Sequence, residues 1–192
     1  MSFFHEIGAF FLDIIETVVV ALSIFLIVYL FIMQPHQVNG ESMFPTYHNG
    51  EYLMTDKLSY KFGTPKRGDV VVFEAPPAAQ CPEGTGCDFI KRVIGLPGDT
   101  IEIKNNAIYL NNEKLNEPYL DSTVITKAGE YTSHGPIMVP EGSYFVNGDN
   151  RPHSSDSRVW GPVELSRIVG KVFFRYWPPN RAGIIKTPAY RL

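Results

Sequence analysis

Thr100-Ile101-Glu102-Ile103-Lys104-Asn105-Asn106-Ala107-Ile108-Tyr109-Leu110 reads as two short strands with a turn between them. Isoleucine, threonine and tyrosine suit a pleated, half-buried surface, and the asparagine pair tolerates the positive φ that a tight turn needs. The same grammar extends outward in both directions. Runs rich in Val, Ile, Phe and Tyr, bounded by Gly, Pro and Asn, predict further strands at 52–57, 69–73, 89–94, 143–146 and 171–176. Asn111-Asn112 and Gly95-Leu96-Pro97-Gly98-Asp99 mark two more turns. The second is not a phosphate loop, because neither a Lys-Ser/Thr pair nor a helical pattern follows it. No internal repeat, heptad or low-complexity tract is present. The Gly/Pro-punctuated stretch 118–140 reads as an insertion or small subdomain, and 178–192 as an irregular tail. The expected fold class is therefore mostly β.

The N-terminal region breaks this grammar. Residues 17–33 carry no charge, and with Ile14 and Ile15 the run approaches the roughly 20 residues that cross about 30 Å of hydrocarbon. Pro35 marks the expected end of the helix. The run is apolar on all sides, which favours lipid over a soluble core. A cleaved leader is the competing reading, but no basic segment precedes the run and no small-x-small site follows it. The expected organisation is a short segment at 1–13, a transmembrane helix at 14–34 and a β domain at 35–192. Lys57 is the first base after the span and none precedes it, so the charge rule for orientation is silent.

The chain has a formal net charge of −3, and Glu6, Asp13 and Glu16 in the N-terminal segment account for it. The β domain is thus neutral, with no basic cluster to track a phosphate backbone, which argues against nucleic acid as a partner. Cys81 and Cys87 enclose a Gly-containing loop that a disulfide would close, a hint of an oxidising compartment; two separate thiols are the alternative. Their spacing does not fit a metal site, and no cofactor motif is present.

Two side chains carry the chemistry. Ser42 lies in Gly40-Glu41-Ser42-Met43-Phe44-Pro45-Thr46, a few residues beyond the apolar span. Gly40 permits a bend that would aim the Ser42 N–H at a developing oxyanion. Lys91 lies in the apolar strand Asp88-Phe89-Ile90-Lys91-Arg92-Val93-Ile94, on one face with Phe89 and Val93. A lysine serves as general base near neutral pH only when desolvation lowers its pKa from about 10.4. The plainer alternative is a lysine that reaches solvent or pairs with Asp88. A third segment, Gly148 to Arg158, is polar and dense in turn-formers. His153 and Asp156 within it suggest a Ser-His-Asp triad, but a triad is assembled in space, so their closeness in sequence adds little.

Taken jointly, Gly-x-Ser-Met-x-Pro-Thr at 40–46, Lys-Arg-Val-Ile-Gly-Leu-Pro-Gly-Asp at 91–99 and Gly-Asp-Asn-(x)3-Ser-x-Asp-Ser-Arg at 148–158, behind an apolar span, resemble the bacterial type I signal peptidases. The resemblance runs from the span through Trp160-Gly161. It implies an all-β Ser/Lys protease domain with a smaller β subdomain near 102–145, held by one helix on the extracytoplasmic face of the cell membrane. It implies Ser42 as nucleophile, Lys91 as base, Ser154 orienting the lysine, and Asp156 with Arg158 as a structural ion pair. Arg92 takes a structural role. Val38, Met43, Phe89 and Ile90 match positions near the substrate pockets. The implied partners are signal peptides of exported preproteins and membrane lipid, with no metal, cofactor or nucleic acid. Where some members carry a serine that helps bind the oxyanion, this chain has Gly40, so another donor must serve. Two rival functions remain at this stage: a self-cleaving Ser/Lys protease, and a non-catalytic, membrane-tethered domain that binds peptides.

Overall fold

The computed structural model describes residues 2–79, 81, 87–188 and 190. An N-terminal helix, α1 (Ser2–Ile27), runs into a π-helical turn, Val28–Ile32. The stretch Ile7–Ile32 is long and apolar enough to cross a membrane, and its most apolar window is not buried; only its last residues meet the β domain, where Lys57 N donates to the Ile32 carbonyl and Lys61 Nζ lies over the Phe31 ring. At about 1.5 Å per residue it exceeds the roughly 30 Å of a hydrocarbon core. The helical part stops at Ile32, short of the expected boundary beside Pro35, because the chain is already extended from Met33 onward.

The remainder is chiefly antiparallel β structure, with a short helix, α2 (Ser157–Trp160), and three single 3-10 turns. Its strands are β1 (Met33–Gln37), β2 (Tyr52–Asp56), β3 (Val70–Glu74), β4 (Asp88–Gly95), β5 (Thr100–Lys104), β6 (Ala107–Leu110), β7 (Glu113–Lys114), β8 (Ile137–Met138), β9 (Ser143–Asn147), β10 (Val163–Glu164), β11 (Ile168–Trp177) and β12 (Gly183–Ile184). The larger sheet has the order β1-β2-β11-β3-β4-β9-β10, with β12 added to β11; the smaller has the order β7-β6-β5-β8. The expected turns are present. Lys104 pairs with Ala107, and Asn105, Asn106, Asn111 and Asn112 all have positive φ. A two-residue connection of this kind fits the twist of the flanking strands.

Three apolar clusters hold the sheets. Val71 and Phe73 face one cluster with Val93, Val146 and Trp160. Val70 and Val72 face the other with Val38, Met43, Tyr47 and Leu53. β3 is thus buried on both faces, and this is why it reads as an unbroken apolar run. The third cluster, Ile94, Ile101, Ile108, Leu110, Val139 and Phe145, joins the small sheet to the large one. Cys81 and Cys87 are bridged, with 5.8 Å between their Cα atoms; the residues between them lie outside the described set. The tail is less irregular than expected, since β12 pairs with Phe174 and Arg175.

β1 is the strand that composition does not announce. Met-Gln-Pro-His-Gln has no β-branched residue, and Pro35 removes a donor. Its place at the end of the sheet order explains why the proline is tolerated. This edge strand positions everything that follows.

Candidate active site

Ser42 sits in the loop that joins β1 to β2. Backbone bonds close the neck of that loop, from Val38 N to the Glu51 carbonyl and from Gly50 N to the Val38 carbonyl, both at 2.8 Å. Met43 and Tyr47, fully buried, pin its underside. Gly40 has φ +94°, and its N–H donates to Asn49 Oδ1 at 2.8 Å. That N–H is therefore taken and does not point at a substrate.

Lys91 enters from β4. Its Nζ lies 2.8 Å from Ser42 Oγ and 3.0 Å from the Ile90 carbonyl oxygen, with the Phe89 ring centroid 5.3 Å away. The residue is only 4% exposed. Burial lowers its pKa from 10.5 to about 8, while the Asp156 and Asp149 carboxylates pull the other way. Each of those carboxylates is itself paired with an arginine, Asp149 with Arg92 and Asp156 with Arg158. The alternative pairing of Lys91 with Asp88 does not occur. Lys91 stands opposite Val71 and Asp88 opposite Glu74, an odd number of residues apart, so the two side chains leave the strand on opposite faces.

The segment 148–158 clamps the nucleophile loop. Asn150 N donates to the Ser42 carbonyl at 2.9 Å, and Asn150 Nδ2 to the Glu41 carbonyl at 3.0 Å. Thr46 Oγ1 donates to Asp149 Oδ2. Asp149 is gripped by Arg92 through two bonds, Nε to Oδ1 at 2.9 Å and a terminal nitrogen to Oδ2 at 2.6 Å, and both residues are buried. Arg92 also donates to the Gly68 carbonyl and lies 4.1 Å over the Tyr119 ring. Gly148 allows the close approach: a Cβ there would run into Ser154 Oγ and the Ser42 carbonyl oxygen. Asp156 accepts from Gly148 N and from Arg158 Nε at 2.7 Å, and Ser157 Oγ accepts from Val146 N at 2.9 Å. Arg158 in turn donates to the Arg151 and Ser154 carbonyls.

Ser154 lies against this clamp, yet its buried Oγ has no hydrogen-bond partner among the described residues. The bond to the lysine implied by sequence is not made; the second partner of Lys91 is its neighbour's carbonyl. His153 is exposed and is not among the residues lining the cleft beside Ser42.

That cleft, about 440 Å³, is lined by Val38, Phe89 and Ile90 beside the Ser42–Lys91 pair, with Leu53 and Val72 at its base. Met43 does not line it; fully buried in the cluster beneath, it supports the floor instead. Sequence reasoning missed Gly148 and Asn150 as clamps, Ser155 as a wall residue, and His36 and Asp88 at one end. Gly148 and Asn150 belong to a motif quoted in full, but only the fold shows that they touch the nucleophile loop. A serine hydroxyl against a buried amine, in a cleft open to an extended chain, can perform acyl transfer without metal or histidine.

Residues 11–177 match the family model described as signal peptidase, peptidase S26. Signal peptidase IB of Staphylococcus aureus strain Mu50 is 40% identical over 179 residues, covering 87% of this chain and 90% of that protein. Signal peptidase I of Bacillus caldolyticus is 43% identical over 160 residues, covering 78% and 82%. A crystal structure of a signal peptidase I from Enterococcus faecalis V583 is similar at TM-score 0.45 and 35% identity, covering 56% of this chain and 96% of that one.

Proposed function

The chain belongs to the signal peptidase family, peptidase S26, and from that premise we propose that Ser42 and Lys91 are the catalytic dyad of a membrane-anchored endopeptidase that removes signal peptides from exported preproteins. The observation that carries the reading is the 2.8 Å approach of Lys91 Nζ to Ser42 Oγ by an amine that is 4% exposed.

In its neutral form the amine holds one N–H on the Ile90 carbonyl and keeps its lone pair for the Ser42 hydroxyl. As Oγ attacks the scissile carbonyl carbon, Lys91 takes the hydroxyl proton. It then passes that proton to the leaving amine, and an acyl-enzyme remains. In the second half Lys91 removes a proton from water, whose oxygen attacks the ester, and the proton returns to Oγ as the serine leaves. The Ser42 backbone N–H is one donor to the oxyanion. Gly40 N–H, held by Asn49, is not the second.

The substrate enters as a strand. β1 ends the sheet order, and β4 pairs with β9 only from Arg92 onward, so Asp88–Lys91 has a free edge among the described residues. A peptide laid between these edges gains backbone bonds on both sides, and Val38 with Ile90 leaves room for a small side chain before the scissile bond. Asp156 with Arg158, and Arg92 with Asp149, fix the loop that holds Ser42. The helix tethers the enzyme in the plane of its substrates and raises their effective concentration, with the β domain on the extracytoplasmic face and lipid as its boundary.

The test uses the full chain in lipid vesicles with a preprotein, the products mapped by mass spectrometry. One cut at the signal-peptide junction is expected, with Ser42 labelled by an acylating inhibitor. Intact preprotein and unlabelled Ser42 would favour a non-catalytic binding domain, and cuts confined to the enzyme's own chain a self-cleaving one.

A further inference from the structure

The tail beyond Trp177 lies outside the stretch that matches the family model, so family membership assigns it no role. It nevertheless follows a definite course across the underside of the nucleophile loop. β12 pairs with Phe174 and Arg175, and Ile185 N donates to the Phe173 carbonyl at 2.9 Å. The Ile185 side chain packs on the apolar cluster that contains Met43 and Tyr47. On either side of this crossing the tail reaches the two supports of Ser42.

Before the crossing, Arg181 holds the exit of the loop. Its Nε lies 3.0 Å from Glu51 Oε1, on a buried carboxylate, and a terminal nitrogen donates to the Thr46 carbonyl at 3.4 Å. Arg175 grips the same two residues, at 3.0 Å and 3.3 Å, and its Nε donates to the Arg181 carbonyl at 2.7 Å. After the crossing, Thr187 Oγ1 donates to Asp69 Oδ1 at 3.0 Å. Tyr190 sets its ring against Gly68, where an added Cβ would come within 2.6 Å of it, and meets Tyr119 edge-on with 6.1 Å between ring centroids. Gly68 is the residue whose carbonyl receives Arg92, and Tyr119 is the ring under the Arg92 guanidinium.

These contacts close a ring. Arg181 ties to Thr46, Thr46 to Asp149, Asp149 to Arg92 and Arg92 to Gly68; Tyr190 packs on Gly68, and the tail itself joins Tyr190 to Arg181. Asn150, next to Asp149, holds the Ser42 carbonyl. We propose that residues 181–190 are a strap that positions Ser42 for attack, with Arg181 and Tyr190 as its two positioning residues. Neither lines the cleft beside Ser42. Opening the ring at either residue slackens one side of the Arg92–Asp149 pair, and a small displacement of Ser42 Oγ from Lys91 costs much of the rate of attack. The strap rests on the dyad reading above.

Arg181→Ala and Tyr190→Ala, each in the full chain, are expected to lower kcat on a signal-peptide substrate about 10-fold per folded molecule, with KM within about twofold. The rate at which an acylating inhibitor labels Ser42 should fall in step. Either change opens the same ring, so the double variant should be no slower than the slower single one, whereas two independent packing losses would multiply. Tyr190→Phe, which keeps the ring, should retain most of the rate. The acidic limb of the pH profile should not move, because neither residue touches Lys91. A merely structural role would lower the unfolding temperature and leave turnover per folded molecule unchanged, and that result would overturn the strap. So would a loss confined to KM, or losses that multiply in the double variant. Arg181 is partly exposed, so Arg181→Ala decides the matter alone if Tyr190→Ala does not fold. If the unaltered chain neither cuts the substrate nor takes the label, the dyad reading falls and the strap falls with it.

Discussion

Lys91→Met is expected to lower kcat/KM on a signal-peptide substrate by roughly 10⁴-fold, the upper range for loss of a positioned general base, and to make the protein more stable. The second half follows from the first. An amine held at about 8 in the folded chain and 10.5 when free binds its proton less tightly when folded. Stability therefore rises with pH between those values. At pH 7 the folded state carries the whole penalty, about 3 kcal/mol. Methionine fills similar volume without charge, so Lys91→Met should gain about 2 kcal/mol at pH 7 and much less near pH 11. Thermal unfolding at the two pH values reads this directly. Ser42→Ala should be comparably inactive, and the double variant no worse than either single one, because the two side chains act as a unit. A Lys91→Met enzyme that retains turnover, or one that is destabilised at pH 7, contradicts this assignment.

Asp149→Ala is expected to be the most damaging single change to stability, at about 3–5 kcal/mol. The aspartate is 1% exposed and accepts two hydrogen bonds from Arg92, which is 2% exposed. Its removal leaves a buried guanidinium with only the Gly68 carbonyl and the Tyr119 face for company. It also frees Thr46 and slackens the turn that carries Asn150, whose N–H holds the Ser42 carbonyl. Activity should therefore fall in whatever folded fraction remains. Replacing both partners, as in Arg92→Met with Asp149→Leu, removes the uncompensated charge and should recover much of the stability. Cleavage should stay low, because the tie from Asp149 to the Ser42 loop is still missing. Denaturant unfolding of the three variants separates the two effects. Recovery of full activity by the double variant would show that the tie does not position Ser42.

What the sequence disclosed and what it withheld divide along physical lines. β3 was legible because both of its faces are buried and its residues are uniformly apolar. The Asn pairs were legible because few side chains accept positive φ. β1 was hidden, since its strand character comes from its neighbour β2 and not from its own residues. Ser42 and Lys91 were individually suspicious, but their approach joins positions on different elements and no spacing rule predicts it; the family resemblance did. Transferring roles by motif worked less well for side-chain detail. Met43 packs into the core beneath the cleft, and Ser154 makes no bond to the lysine, because such contacts depend on rotamers that a motif does not encode. His36 escaped notice for the same reason as β1.

The central claim is that burial beside Ser42 makes Lys91 a base close to neutral pH. Titration of the Lys91 amine by NMR tests it most directly, with ¹³C-labelled lysine in the full chain and the resonance assigned by its loss in Lys91→Met. The expected result is a pKa of about 8, matched by an acidic limb of kcat/KM at the same pH. An amine that stays protonated above pH 10, with a cleavage rate indifferent to it, would contradict the account.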